Sequence, residues 1–304
     1  MTGSDEHGMN GMTVVVAGKT GDLGARIASA LARRGAEVRA LVRRSSSAIP
    51  ADTAHGLTAV AVDYDDDTSL ISACRGEACV VSALNGLDPV ILGAQGRLLD
   101  AAARAGVPRF IPSDFSLDFT RTRPGDNRNL DLRRAFMDRV DHSPMRATSV
   151  LNGGFTELLA GGAPIVLRGP RRILYWGDAD QALDFTTKDD VARYTAEVAL
   201  DEAAPRFLRI AGDVVSPRSL AELMTDVTGR TYGLWRAGDL DRLGRLIRIA
   251  RALTPGKQAV FPAWQGMQYL RDMASGRGKL DPLDNDRYGR WRWTLARDVL
   301  STRP

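Results

Sequence analysis

Val14-Val-Val-Ala-Gly-Lys-Thr-Gly-Asp-Leu-Gly24 is the stretch on which the fold turns. Thr13 to Ala17 is a short apolar run rich in β-branched residues. Leu23, Ile27, Ala30 and Leu31 then recur at helical spacing up to Gly35, which stops the helix. Between run and helix stand Gly18, Gly21 and Gly24, a Gly-x-x-Gly-x-x-Gly spacing related to, but distinct from, the Gly-x-Gly-x-x-Gly fingerprint. Alone, the spacing suits either a dinucleotide cradle or a tight strand-to-helix turn that needs glycine.

The residues that follow narrow the choice. Glu37 to Arg43 alternates as a second strand, Leu57 to Val62 makes a third and Ala78 to Ala83 a fourth. Leu92 to Ala105 reads as a helix closed by Gly106, and Arg109-Phe-Ile111 as a fifth strand. Strands alternating with helices predict an α/β fold: a Rossmann-type doubly wound parallel sheet, with a smaller α/β C-terminal region that binds substrate. Residues 1–12 are read as a flexible leader, 13–155 as the nucleotide-binding domain and 156–304 as the substrate-binding region, packed with the first as one extended fold.

In such a fold the turn after the first strand binds a pyrophosphate at a helix N-terminus. Gly18 then permits the tight turn, Gly21 lets backbone approach phosphate, and Gly24 allows the helix to pack close to the sheet. The expected cradle is Gly18, Lys19, Thr20, Gly21, Asp22, Leu23 and Gly24. Cofactor choice is read at the end of the second strand, where an NAD site usually carries an acid for the ribose 2′-hydroxyl. Here the strand ends Leu41-Val-Arg43-Arg44 with no acid. A guanidinium grips a 2′-phosphate that a carboxylate would repel, so NADPH is the expected cofactor, held by Arg43, with Lys19 a second cation for a phosphate. Against this, Arg43 and Arg44 also read as solvated strand-end charges.

Composition limits the alternatives. The 304 residues are 44% hydrophobic and 26% charged, an ordinary globular balance. The formal charge is +4 and the pI near 9.3, with basic residues interleaved with acids, which argues against nucleic acid as the main partner. Cys74 and Cys79 lack a second pair or a histidine cluster, so reduced thiols and no metal are expected. Residues 1–12 lack the apolar core of a secretory signal, and no segment approaches the ~18–20 apolar residues of a membrane span. A cytoplasmic monomer or homodimer is expected.

The glycine turn, Ala40-Leu-Val-Arg-Arg44, Val60-Ala-Val-Asp-Tyr-Asp-Asp-Asp-Thr-Ser-Leu70, Val80-Val-Ser-Ala-Leu84 and above all Ala105-Gly-Val-Pro-Arg-Phe-Ile-Pro-Ser-Asp-Phe-Ser-Leu-Asp118 carry a resemblance. They are similar to the NmrA-like and isoflavone reductase-like group of atypical short-chain dehydrogenases. The likeness covers the first half well and continues weakly through Ser149-Val-Leu-Asn-Gly-Gly-Phe155. The group contains NADPH-dependent reductases of small aromatic compounds and also NmrA-type proteins that bind the dinucleotide as a sensor without catalysis. The resemblance implies that Asp63 and Tyr64 lie beside the adenine, while Ser82, Ala83 and Leu84 run along the cofactor. It places Ser113, Asp114 and Phe115 close to the nicotinamide, and Asn152, Gly153, Gly154 and Phe155 on the other side of the ring.

The sequence departs from the group where a proton must be handled. None of the tyrosines at 64, 175, 194, 232, 269 and 288 has a lysine four residues later, so the Tyr-x-x-x-Lys pair is missing. The reductase branch places a lysine on the helix before the sixth strand; here that helix reads Leu130 to Asp138 with Arg133 and Arg134 instead. A guanidinium stabilises an oxyanion but is a poor proton donor. Arg133, Asp114 and Ser113 are therefore the candidate catalytic residues, Asp114 as an acid of raised pKa or else as the cap of a turn.

The second half reads more loosely. Arg172 to Trp176 and Leu183 to Thr186 are expected strands, and Thr187 is expected to begin a helix capped by Asp189 or Asp190. Phe207 to Ala211 is a further strand, and Ser216-Pro217 starts a helix that runs to Gly229. Aromatic residues gather in the C-terminal third, and Phe261 to Met273 fits both a pocket wall and a core helix. Phe115, Tyr175, Trp176, Trp264, Met267 and Gln268 are the candidate substrate contacts. Leu240 to Leu253 is an amphipathic helix whose Arg242, Arg245, Arg248 and Arg251 suit an acidic surface, nucleic acid or plain solvent.

The leading expectation is an NADPH-dependent reductase that transfers hydride to a conjugated C=C, C=O or C=N of a hydrophobic small molecule. A non-catalytic dinucleotide sensor with a protein partner, and a lyase or epimerase that uses the nucleotide transiently, are the alternatives.

Overall fold

The central strand of the largest sheet is β1 (Thr13–Ala17), whose Val14, Val15, Val16 and Ala17 are all fully buried. A computed structural model describes residues 11–44, 56–161, 163–254 and 259–302; the first ten residues of the expected leader lie outside them. From β1 the chain turns into α1 (Asp22–Arg33) and returns as β2 (Glu37–Arg43). Then come β3 (Leu57–Val62), α2 (Asp67–Cys74) and β4 (Cys79–Ser82). A π-helical turn over Pro89–Ala94 runs into α3 (Gln95–Arg104), which is followed by β5 (Arg109–Ile111), α4 (Arg128–Asp141) and β6 (Arg146–Ala147). The strand order is β3-β2-β1-β4-β5-β6, all pairs parallel, the doubly wound sheet that the alternating pattern predicts.

Alternation of side chains across the sheet explains its two cores. Val15, Ala17, Leu41 and Val80 join Leu70, Leu98, Leu99 and Phe136 from α2, α3 and α4. Val14, Val16, Ala40 and Val42 are buried on the opposite face, where α1 contributes Ile27 and Leu31.

The second half adds β7 (Ser149–Leu151), β8 (Gly154–Phe155), β9 (Val166–Leu167), β10 (Arg172–Trp176) and β11 (Leu183–Thr186). After these stand α5 (Lys188–Leu200), β12 (Phe207–Arg209), β13 (Asp213–Val215), α6 (Pro217–Thr228) and β14 (Gly233–Gly238). The helices α7 (Leu240–Leu253), α8 (Ala263–Ala274) and α9 (Ala296–Ser301) complete the described order. Two small sheets, β14-β10-β9 and β13-β11-β8, enclose a core of Ile173, Phe185, Leu220 and Met224. The start of α6 follows expectation: Ser216 accepts from Ser219 N, Pro217 is the first helical residue, and Gly229 ends the helix at φ 64°.

The start of α5 does not. The capping side chain is Thr187, whose hydroxyl accepts from Asp190 N and donates to Asp190 Oδ2. Asp190 is thus the first-turn partner of the cap, and the threonine just before the helix fills the role expected of Asp189 or Asp190.

By compactness the chain divides into two units. One comprises residues 1–114, 132–150 and 191–208; the other comprises 115–131, 151–190 and 209–304. These units interleave along the chain.

Candidate functional site

In the first unit the strand register sets the site. Ala17 pairs with Leu41 and Ser82, Arg43 with Val62, and Ile111 with Val81. The glycine turn, Arg43, Asp63-Tyr64, Ala83-Leu84 and Ser113 therefore follow the carboxyl ends of neighbouring strands, the edge where open α/β sheets bind ligands.

Each glycine of the turn has a steric reason. Gly18 has φ 89°, and a Cβ there would stand 2.6 Å from the Ala83 carbonyl oxygen. Gly24 differs from expectation: its Cβ would meet the Gly18 carbonyl oxygen at 2.2 Å, so the third glycine admits the turn's own backbone rather than the sheet. Gly21 is exposed, and its N–H closes the turn by donating to Gly18 O at 2.9 Å. As the N-cap of α1 it offers no side chain to the first helical amides. Amides at such an end turn to water or to an anion, so the turn fits a phosphate.

Arg43 and Arg44 are exposed, and the Arg44 amide donates to Val62 O at 2.9 Å. Arg43 is close enough to oppose the rise of the Tyr64 pKa. That rise comes from burial: the ring packs on the α2–α3 core, and the buried phenol oxygen has no hydrogen-bond partner among the described residues. Asp63 is exposed and accepts from Asp65 N. Lys19 is half-buried, and no described contact joins it to Arg43.

The three candidate catalytic residues all belong to this unit and are buried. Ser113 donates its hydroxyl hydrogen to Leu84 O at 2.6 Å, while its N–H donates to Gln95 Oε1 at 2.9 Å. Asp114 is 1% exposed and accepts from Ser149 Oγ at 2.6 Å; Ser149 in turn accepts from Arg206 Nη1 at 2.7 Å. Burial raises the Asp114 pKa, opposed first by the Ser149 hydrogen bond and then by the charges of Arg133 and Arg206. Arg133 is thus brought to Asp114, as a charge that holds a buried carboxylate.

In the second unit, the loops of Phe115–Asp118 and Asn152–Phe155 are tied together. Ser116 O accepts both Asn152 N and Gly153 N, at 2.9 and 3.1 Å. Asn152 is fully buried, and its carbonyl accepts from Thr186 Oγ1. Gly153 has φ 70°, and its Cβ would stand 2.3 Å from Asp184 O; no other residue fits there. Beside that contact lies an ion pair absent from the sequence reading. Lys279 Nζ donates to Asp184 Oδ1 at 2.5 Å and to Leu280 O at 3.2 Å. Asp184 Oδ2 also accepts Leu280 N at 2.8 Å, and burial raises this carboxyl's pKa against both partners. The available signal was composition: Lys279 is one of only four lysines, with Lys19, Lys188 and Lys257.

The candidate substrate residues divide. Tyr175 and Trp176 line an apolar cavity of about 20 Å³ with Leu159, Ile165, Phe185 and Leu270; that is room on the scale of a single water. Trp176 and Met267 pack with Leu243 and Ile247. Trp264, 2% exposed, lies under the guanidinium groups of Arg128 and Arg251 at 4.7 and 5.4 Å. Gln268 accepts Arg128 N through Oε1. Phe115 is 7% exposed, and Phe155 is half-buried beneath the Lys188 ammonium at 5.7 Å. No group of acids, cysteines and histidines able to hold a metal occurs among the described residues, and no described helix is long and apolar enough to cross a membrane.

Known proteins share this fold. The model of the NmrA-like family matches residues 10–234. An isoflavone reductase homolog of Zea mays is 31% identical over 241 residues, 72% of this chain and 75% of that protein. Among solved structures, an isoflavone reductase superposes with a TM-score of 0.79 at 20% identity, over 97% of this chain and 99% of that one. A structure described as AtPrR2 with NADP+ and (+)pinoresinol gives a TM-score of 0.78 at 21% identity, over 97% and 99%.

Proposed function

The chain belongs to the NmrA-like family, and from that premise we propose that it is an NADPH-dependent reductase acting on a conjugated C=C, C=O or C=N of a hydrophobic small molecule. One observation carries the reading: the uncapped glycine turn at the carboxyl end of β1, with Arg43 at the matching end of β2. The relative named as a reductase homolog and the neighbour named with NADP+ and pinoresinol support a nicotinamide cofactor and an aromatic acceptor. Bound NADPH supplies the hydride.

In this reading residues 18 to 24 cradle the pyrophosphate and Arg43 grips the 2′-phosphate by paired, charge-assisted bonds. Asp63, Tyr64, Ser82, Ala83, Leu84 and Ser113 flank the nucleotide, as Asn152, Gly153 and Phe155 flank the nicotinamide. The proton needs another source than the expected one. Ser113 has committed its hydroxyl hydrogen to Leu84, Asp114 is enclosed by Ser149, and a guanidinium at Arg133 keeps its proton. We infer that water supplies the proton.

Gly21→Trp sets a bulky side chain in the phosphate cradle at the start of α1. The expected outcome is the loss of NADPH binding and, with it, of substrate-dependent NADPH oxidation. Unchanged binding and turnover overturn the reading. A second reading, a non-catalytic NADP(H) sensor, is favoured by the internal commitments of Ser113 and Asp114. It expects nucleotide binding with no turnover across a panel of enones, imines and aryl ethers.

A further inference from the structure

The helix α7 is apolar on two sides. Leu243 and Ile247 point into the cluster around Trp176, as an amphipathic helix should. Leu246, Ile249 and Leu253, spaced by three and four residues, form a second apolar ridge that faces out, at 37, 54 and 75% exposure. Phe261, after the helix, is 58% exposed.

Charge accompanies the outward ridge. Arg242, Arg245 and Arg248 are exposed on the same part of the helix, and none has a carboxylate partner among the described residues. Some exposed arginines elsewhere are paired, Arg97 with Asp65, Arg104 with Asp67, Arg139 with Asp100 and Arg218 with Asp180; others, such as Arg43 and Arg44, are not, among the described residues. The helix itself carries one acid, Asp241, in its first turn. A ridge of bare leucine and isoleucine beside unpaired guanidinium groups fits an occupant that is anionic at its surface and apolar beneath.

A second copy is a poor occupant, because joining two such ridges brings two sets of like charges together as they leave water. We propose that α7 is a peripheral membrane-docking helix that lies on an anionic lipid bilayer, its ridge among the acyl chains and Arg242, Arg245 and Arg248 against the headgroups. Such docking would hold the protein where a hydrophobic small molecule concentrates. It does not depend on the reductase reading.

The test is co-sedimentation of the full chain with vesicles of phosphatidylcholine, with and without about one-third phosphatidylglycerol. Binding is expected with the anionic vesicles only and is expected to weaken as salt rises. Changing all three arginines to glutamine should weaken it about a hundredfold. Ile249→Ser with Leu253→Ser should weaken it about tenfold or more, with NADPH affinity and circular dichroism unchanged as the control for folding. Equal binding to both vesicle types, or binding unaltered in these variants, overturns the proposal. So does a concentration-dependent dimer that the serine variant returns to monomer, or capture of duplex DNA in place of vesicles.

Discussion

Asp272 shows what a single buried carboxylate does to this molecule. It is 1% exposed, accepts from Asn127 Nδ2 at 3.0 Å, and shares Asn127 with Gln265, whose Nε2 donates to Asn127 Oδ1 at 2.7 Å. Burial pushes its pKa up to about 6, against the Asn127 hydrogen bond and the charge of Arg271. The folded state therefore binds this proton more tightly than the unfolded state. Its contribution to stability is full below the unfolded value of 3.8 and is lost as pH rises to about 6. At about 1.4 kcal/mol per pKa unit the loss is roughly 3 kcal/mol. Asp272→Asn should match the native chain near pH 4 and exceed its urea midpoint near pH 7. A native chain that is the more stable of the two at pH 7 would show that the ionised carboxylate helps the fold. Nothing in the sequence marks this residue, because its hydrogen-bond partner Asn127 lies 145 residues away in the chain.

At the scale of elements, local rules reached far where a helix or strand carries its own pattern. The glycine turn, the five parallel strands and the Ser216-Pro217 helix start were legible because each rests on residues adjacent in sequence. The entry to α5 was misread because two acids follow a threonine, and only the hydrogen bonds distinguish them. Thr187→Ala removes the acceptor for Asp190 N and one donor to a buried carboxylate that also accepts Thr294 N. A loss of about 1–2 kcal/mol is expected, read as a lower urea midpoint with unchanged slope. Thr187→Ser should restore most of it, and an alanine variant as stable as the native chain would deny the cap. The partners of Ser113, Asp114 and Lys279 were illegible for a related reason. Leu84, Ser149 and Asp184 reach them from other strands and loops, and no spacing rule carries that information.

For the whole molecule, a ligand that binds only the folded chain adds stability in proportion to its affinity, about 2.7 kcal/mol at one hundred times its Kd. The claim that joins fold to function is that the glycine turn and Arg43 select a 2′-phosphorylated dinucleotide. A guanidinium–phosphate contact worth about 1.5–3 kcal/mol corresponds to a preference of roughly tenfold to a hundredfold. Calorimetric titration of the native chain and of Arg43→Glu with NADPH and NADH measures it directly. The native chain should bind NADPH at least about tenfold more tightly than NADH, and Arg43→Glu should abolish or reverse that preference. Equal affinities in the native chain, or a preference that survives Arg43→Glu, would contradict the claim.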